Sequence, residues 1–325
     1  MADDLSTALV EAARLLAEAR DVTLLSHINP DADTLGSALA VGLVLHRRGA
    51  RVRVSFAEPD VVPESLLSLD VAGLLVRPDE VPDEAELVVV MDTGSLQRLG
   101  KLADRVPKAK KGAVVIDHHV SNTRYGTVHV IDDRAEATAL VALRVLDEMK
   151  AEIDEPVARC LYAGIVTDTR GFRNAGPEVH RIAARLLEAG VDAEGVTRPL
   201  MDEHPFGYLK MLSHVLGRAE LDRNAAKGLG LVHATVTVDD AQGLRSEEVE
   251  SVVDIVRSAE EAEVAAVFKE LRPQYWSVSL RAVSEVDVRR VAQRLGGGGH
   301  RLAAGFTFEG TAERLLAELK EALES

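Results

Sequence analysis

The chain has 325 residues, 46% hydrophobic and 28% charged, which excludes a disordered or fibrous class and suits two globular domains better than one. Its net charge of -15 excludes the basic footprint of a protein that tracks long nucleic acid and favours small phosphorylated substrates held by a few local cations. A single cysteine excludes an internal disulfide and reads as cytosolic; no apolar stretch approaches a membrane span, and the acidic, amphipathic start MADDLSTALVEAARLLAEAR lacks the basic start and cleavage site of a signal peptide.

The first half alternates strand and helix. Apolar residues near helical spacing predict a helix over Leu5–Ala19, then a strand over Val22–Ser26, a helix over Thr34–Arg47 and a strand over Arg51–Phe56. A Pro-rich connection, Pro59–Pro82, leads to strands at Leu87–Met91, Ala113–Ile116 and Thr127–Ile131, and helices follow at Ala135–Lys150, Glu155–Val166 and Pro177–Ala189. Near-continuously apolar strands alternating with helices predict an α/β fold with a parallel sheet covered on both faces. Cys160 lies in the helix-like run PVARCLYAGIV and reads as core filling.

After Gly190 the pattern changes. A helix-rich connector, Val191–Leu216, carries Pro199 and Pro205. Strands are predicted at Leu229–Val238, Ala262–Leu271, Trp276–Ala282 and Phe306–Phe308, with helices at Ser246–Arg257, Val286–Leu295 and Ala312–Leu323. The period-two alternation of WSVSLRAV buries one face only, so this smaller α/β domain has a mixed or antiparallel sheet. The expected division is a catalytic domain over 1–190, a linker over 191–205 and a second domain over 206–325.

Four separated places put carboxylates and imidazoles next to the ends of apolar runs. They are His27, Asp31 and Asp33 in HINPDAD, Asp92 in MDTG, Asp117, His118 and His119 in DHH, and Asp168 in VTDT. Segments ending at the carboxyl edge of a parallel sheet converge in space however far apart they lie in sequence. Carboxylates gathered there repel one another unless cations hold them, so the pattern points to a metal-dependent enzyme. Asp33 or Thr34 also suits an N-cap, and Asp168, at a helix C-terminus, is disfavoured by the helix dipole and invites a compensating cation. A single carboxylate at Asp92 can offer one oxygen to each of two ions, and mixed oxygen and imidazole donors with no nearby thiolate suit Mn²⁺. Near the chain's end Gly296–Gly299 precedes His300; consecutive glycines let backbone N–H groups approach a phosphate, and His300 and the strand residue Arg281 can reach the same ligand.

HINPDAD, Asp92, DHH and TDT followed by GGGGHRLAAG resemble the DHH–DHHA1 phosphoesterases over nearly the whole chain. Within that family the chain is similar to the NrnA-like oligoribonuclease and 3′-phosphoadenosine 5′-phosphate (pAp) phosphatase type, above all to actinobacterial members that also hydrolyse cyclic di-AMP, through LMDEHPF, RSEEVESVVDIVRSAEEAEVAAVFKE and WSVSLRA. The resemblance implies an N-terminal DHH domain and a C-terminal DHHA1 domain. It implies two Mn²⁺ ions, with Mg²⁺ or Co²⁺ as substitutes: one on His27, Asp31 and Asp92, the other on Asp33, Asp92, His118 and Asp168, with Asp92 bridging. It implies that His119 contacts the scissile phosphate, that Asp117 orients a histidine, and that Arg98, Arg281, Gly297, Gly298, Gly299 and His300 hold the nucleotide. The family usually follows its last aspartate with Thr-Gly-Ser/Arg-Phe, whereas here Asp168 is followed by Thr169-Arg170-Gly171-Phe172, a bulky cation in place of glycine.

The expected activity is cytoplasmic hydrolysis of small nucleotides and short RNA (cyclic di-AMP, its linear product pApA, oligoribonucleotides, pAp) by water activated between two metals. By the resemblance the protein is a homodimer, and it engages neither long nucleic acid nor a membrane. Rival readings are a single-strand exonuclease of the same superfamily, an inorganic pyrophosphatase sharing the first-domain motifs, and a nucleotide-binding sensor without catalysis.

Overall fold

The computed structural model describes residues 2–324, which form two compact units, 2–203 and 204–324. The first unit runs α1 (Ala2–Glu18), β1 (Asp21–Leu25), α2 (Ala32–Arg47), β2 (Arg51–Ser55), β3 (Leu87–Met91), β4 (Ala113–Asp117) and β5 (Val128–Ile131), then α3 (Thr138–Glu148), α4 (Glu155–Asp168), α5 (Pro177–Glu188) and α6 (Ala193–Thr197). Its five strands are all parallel in the order β2-β1-β3-β4-β5. The chain leaves β1 for β2 on one side and returns to β3 on the other, so the carboxyl ends of β1 and β3 flank the switch point of the sheet, where open α/β sheets form their ligand crevice.

Alternation of side chains across the strands builds a core on each face. Leu87, Val89 and Met91 of β3 and Val114 and Ile116 of β4 pack against α1, α2, α3 and α4, while Val88, Val90 and Val115 pack with Leu99, Leu102 and Val106 on the opposite face. The predicted parallel sheet, buried on both sides, is what the structure has. Val191 and Val196 belong to the first core as well, so residues 191–203 pack as part of the first unit.

At several element ends the structure differs from the expectation, three of them beside Asp31, Asp33 and Asp168. The helix after HINPDAD starts at Ala32, not Thr34, and its N-cap is Asp31 rather than Asp33 or Thr34: the Asp31 carboxylate accepts hydrogen bonds from the backbone N–H groups of Asp33 and Thr34. Helix α3 begins at Thr138 rather than Ala135, because its N-terminal N–H groups are satisfied by the distant carboxylate of Asp33. Helix α4 extends two residues past Val166 and ends on Asp168.

The second unit runs α7 (Phe206–Gly217), β6 (Glu220–Asp222), β7 (Leu231–Val236), α8 (Ser246–Val256), β8 (Val264–Arg272), β9 (Tyr275–Ala282), α9 (Val288–Arg294), β10 (Gly298–Gly299), β11 (Ala303–Glu309) and α10 (Ala312–Glu324). Its sheet has the order β10-β11-β9-β8-β7-β6 and is mixed, only β7 and β8 being parallel. Phe268, Val278 and Leu280 face the core under α9 and α10, and Val232, Ala265 and Val267 face that under α7 and α8. The glycine run, expected as a ligand loop whose backbone approaches a phosphate, supplies the edge strand β10. Among the described residues no helix is long and apolar enough to cross a membrane.

Helices α2 and α4, which carry Asp33 and Asp168, pack directly against each other. Gly36 makes that approach possible, since a Cβ there would lie 2.3 Å from the carbonyl oxygen of Cys160, whose own side chain is fully buried core. Gly36→Ala is expected to cost about 1–3 kcal/mol by forcing the helices apart. Urea unfolding measures this, and an unchanged midpoint would show that the close approach is not required.

Candidate metal centre

Each acidic or imidazole side chain is placed by an element end. His27 follows β1, and its Nδ1 lies 2.8 Å from the carbonyl oxygen of Ile28, which directs Nε2 toward Asp31 Oδ2 at 3.6 Å and Asp92 Oδ2 at 3.5 Å. Asp92 follows β3 with φ at 52°, a left-handed conformation that Asp tolerates better than most residues but that still carries strain. The turn is held by Thr34 and Thr93, whose hydroxyls donate to the carbonyl of Met91 at 3.0 and 2.8 Å. Asp92 is 4% exposed, and its Oδ1 accepts a 2.8 Å hydrogen bond from Thr138 Oγ1.

Opposite His27, the Nδ1 of His118 lies 3.0 Å from the carbonyl of Ala135, and its Nε2 stands 3.5 Å from Asp92 Oδ1 and 3.4 Å from Asp168 Oδ2. The two oxygens of Asp92 therefore face two different histidines, each anchored through Nδ1 so that Nε2 is the atom presented to the cluster. That anchoring is the usual setting of metal-ligating imidazole. Asp33, fully buried on the first turn of α2, accepts from the N–H groups of Thr138 and Ala139 at 2.6 and 2.9 Å, and Gly164 lets α4 pass close to its carboxylate.

Asp117 and His119 form a separate pair. The Asp117 carboxylate, completely buried, lies 2.7 Å from His119 Nδ1 and accepts from the backbone N–H groups of His118 and His119 and from Asn122 Nδ2. These bonds hold Asp117 below the usual carboxylate range although burial pushes the other way. Burial also disfavours a charged His119, but Asp117 and Asp92 outweigh it and raise its pKa.

Among the described residues, three groups offer ligand atoms within 4.8 Å of one another: His27, Asp31 and Asp92; Asp33, His118 and Asp168; and Asp92, His118 and His119. Burial, then the charges of Asp92 and Asp31, raises the pKa of Asp33 well above normal; burial, then Asp33, Asp31 and Asp92, does the same to Asp168. These carboxylates cannot all ionise unless cations arrive, and the donor set of carboxylate oxygens and Nε2 atoms fits divalent metal. Two arginines stand at the cluster's ends. Arg98 is exposed, with its charge felt at Asp31 and His119, and the charge of Arg170 is felt at Asp168.

The remaining predicted residues lie in the second unit. Arg281 on β9 is in register with Ala303 of β11, and Gly298 and Gly299 of β10 pair with Gly305 and Ala304. A Cβ at Gly297 would meet the carbonyl of Gly305 at 2.1 Å and one at Gly299 would meet Ala304 Cα at 2.5 Å, whereas Gly298 opens onto empty space. Sequence reasoning missed Thr138 and Asn122, which fix Asp92 and Asp117. It also missed Lys269, 3% exposed, which donates to Ser279 Oγ at 2.8 Å and pairs with Glu250. A lysine directly after the apolar run VAAVF was the available signal.

The chain matches the DHH family, N-terminal domain, over residues 21–165 and the DHHA1 domain over residues 230–325. It is 31% identical over 96% of its length to the bifunctional oligoribonuclease and PAP phosphatase NrnA of Thermus thermophilus, covering 95% of that protein. It is 24% identical over 94% of its length to the cyclic-di-AMP phosphodiesterase GdpP of Geobacillus thermodenitrificans, covering 48% of that protein. Among solved structures, an exopolyphosphatase-related protein from Bacteroides fragilis is similar with a TM-score of 0.89 and 22% identity, over 98% of this chain and 96% of that one.

Burial works against a protonated His27, yet Asp31 and Asp92 raise its pKa to about 10 from 6.5. In metal-free protein the stability from that proton is complete below pH 6.5 and lost as pH rises through about 10. Melting temperatures of chelator-treated protein should therefore fall more steeply across that window than those of His27→Gln. Parallel curves would show that His27 does not hold the proton between Asp31 and Asp92.

Proposed function

The chain belongs to the DHH family and carries its DHHA1 domain, and from that membership and the carboxylate cluster we propose a phosphoester hydrolase that uses two Mn²⁺ ions on small nucleotides and short oligoribonucleotides. The observation that carries the reading is Asp92, whose two oxygens face His27 on one side and His118 on the other. His27, Asp31 and Asp92 would hold one ion, and Asp33, Asp92, His118 and Asp168 the second. Bound as a pair, such ions acidify water and clamp the attacking and leaving oxygens of an in-line displacement.

The chain's own residues do the rest. Asp117 accepts from His119 Nδ1–H and, with Asp92, favours the imidazolium, whose Nε2–H donates to the phosphate where negative charge builds. Thr138 holds the Asp92 carboxylate in its left-handed turn, and Arg98 draws anionic substrate toward His119. In the second unit, the backbone at Gly298 with Arg281 and His300 binds nucleotide. Glycine at 297 and 299 serves packing against β11, but at 298 the fold itself requires none, which supports a backbone kept bare for a ligand.

Asp92→Ala should nearly abolish Mn²⁺-dependent hydrolysis of pApA and pAp in a folded protein, with losses of ~10²-fold or more expected from removing even one electrostatic contact. Retention of more than about a tenth of wild-type turnover would sink the bridging role. A wild-type protein that binds these nucleotides with Mn²⁺ yet releases no product would favour the sensor reading instead.

The two histidines separate by calorimetric Mn²⁺ titration. His118→Ala should weaken metal binding, while His119→Ala should spare it and lower kcat. Equal loss of metal in both variants would contradict this division of roles.

A further inference from the structure

Helix α4 ends in a closed loop that places a cation beside the cluster. The N–H of Arg170 donates to the carbonyl of Thr167 at 3.0 Å and that of Gly171 to Val166 at 2.7 Å, the paired bonds of a Schellman motif. In that motif the residue after the cap is left-handed and is usually glycine, because a Cβ there is crowded. Here it is Arg170, with φ at 54°. The conformation is enforced from both sides: Thr169, fully buried, accepts from the N–H of Phe172 and donates to Ile165, and Phe172 packs its ring between Tyr162 and His180.

Arginine thus occupies a position where glycine is sterically easier, with Gly171 directly beside it. No hydrogen bond or ion pair joins its guanidinium to another described residue, and the closed loop holds it two residues beyond Asp168, on which α4 ends. Arg98 serves another part of the cluster, its carbonyl accepting from the N–H of Ile28, the residue after His27, at 2.8 Å. A cation near His119 suits the phosphate being cleaved. A second cation at the Asp168 end suits an anionic group some distance from it.

We propose that Arg170 is a specificity-determining residue that binds a second, non-scissile phosphate of the substrate, so that the enzyme favours linear nucleotides carrying a terminal phosphate. This rests on the hydrolase reading above. The side chain supplies a planar fork of donors matched to phosphate oxygens.

The test uses pApA and ApA, which differ only in the terminal 5′-phosphate, with saturating Mn²⁺ and wild type, Arg170→Gly and Arg170→Lys. Wild type should hydrolyse both and favour pApA in kcat/KM. In Arg170→Gly the ratio should fall at least tenfold, and in Arg170→Lys by less, while Mn²⁺ stoichiometry is kept. The melting temperature of Arg170→Gly should rise, since glycine relieves the left-handed position. A wild-type ratio near one, or an unchanged ratio in Arg170→Gly with a raised melting temperature, would overturn the proposal and leave Arg170 as a charge at a helix end. Wild-type protein that cleaves neither compound would instead overturn the hydrolase reading.

Discussion

Mutual repulsion among Asp31, Asp33, Asp92 and Asp168 is the constraint on which the first unit depends. Four carboxylates meet at the carboxyl edge of one sheet, with Asp33 fully buried and Asp92 nearly so. Ionised and metal-free, Asp33 and Asp168 would oppose folding, since burial and the neighbouring carboxylates both favour their neutral acids. The structure lowers that cost by giving each carboxylate polar partners. Asp31 caps α2, Asp33 caps α3 from another helix, Asp92 takes the Thr138 hydroxyl, and Asp168 faces His118. The same bonds fix the direction of each oxygen, so the electrostatic conflict and the preorganisation of the centre have one origin.

The topology explains why these residues meet at all. With β1 and β3 adjacent and their outgoing chains turning to opposite sides, His27 and Asp92 are brought to one crevice from positions 65 residues apart in the sequence. The backbone completes what the topology begins. A continuing β-strand would not turn Asp92 as its positive φ does, and the threonines on either side hold that turn against Met91.

Much of this was legible in the chain. Apolar runs such as LVVVM and AVVI located the strands, and polar residues directly after them located the crevice. The cluster membership of His27, Asp31, Asp33, Asp92, His118 and Asp168 followed from that single pattern and the resemblance. What escaped was anything set by partners distant in sequence. The start of α3 depends on a carboxylate more than a hundred residues upstream, and the support given by Thr138 and Asn122 depends on where helix and loop come to rest. The glycine run was also misjudged in form: two of its glycines are bare because β11 presses on them, a contact no local reading supplies. Arg170 stood out as an unexpected residue type, but only the Schellman geometry reveals that it occupies a left-handed position.

The central claim is that one carboxylate, Asp92, joins two metal ions into a pair. Electron paramagnetic resonance of the protein titrated with Mn²⁺ tests it most directly, because ions held ~3.5–4 Å apart are magnetically coupled. A bridged pair should give a spin-coupled signal that grows in as the second equivalent binds and is absent from Asp92→Asn. An uncoupled, mononuclear signal at every loading of the wild-type protein would contradict it.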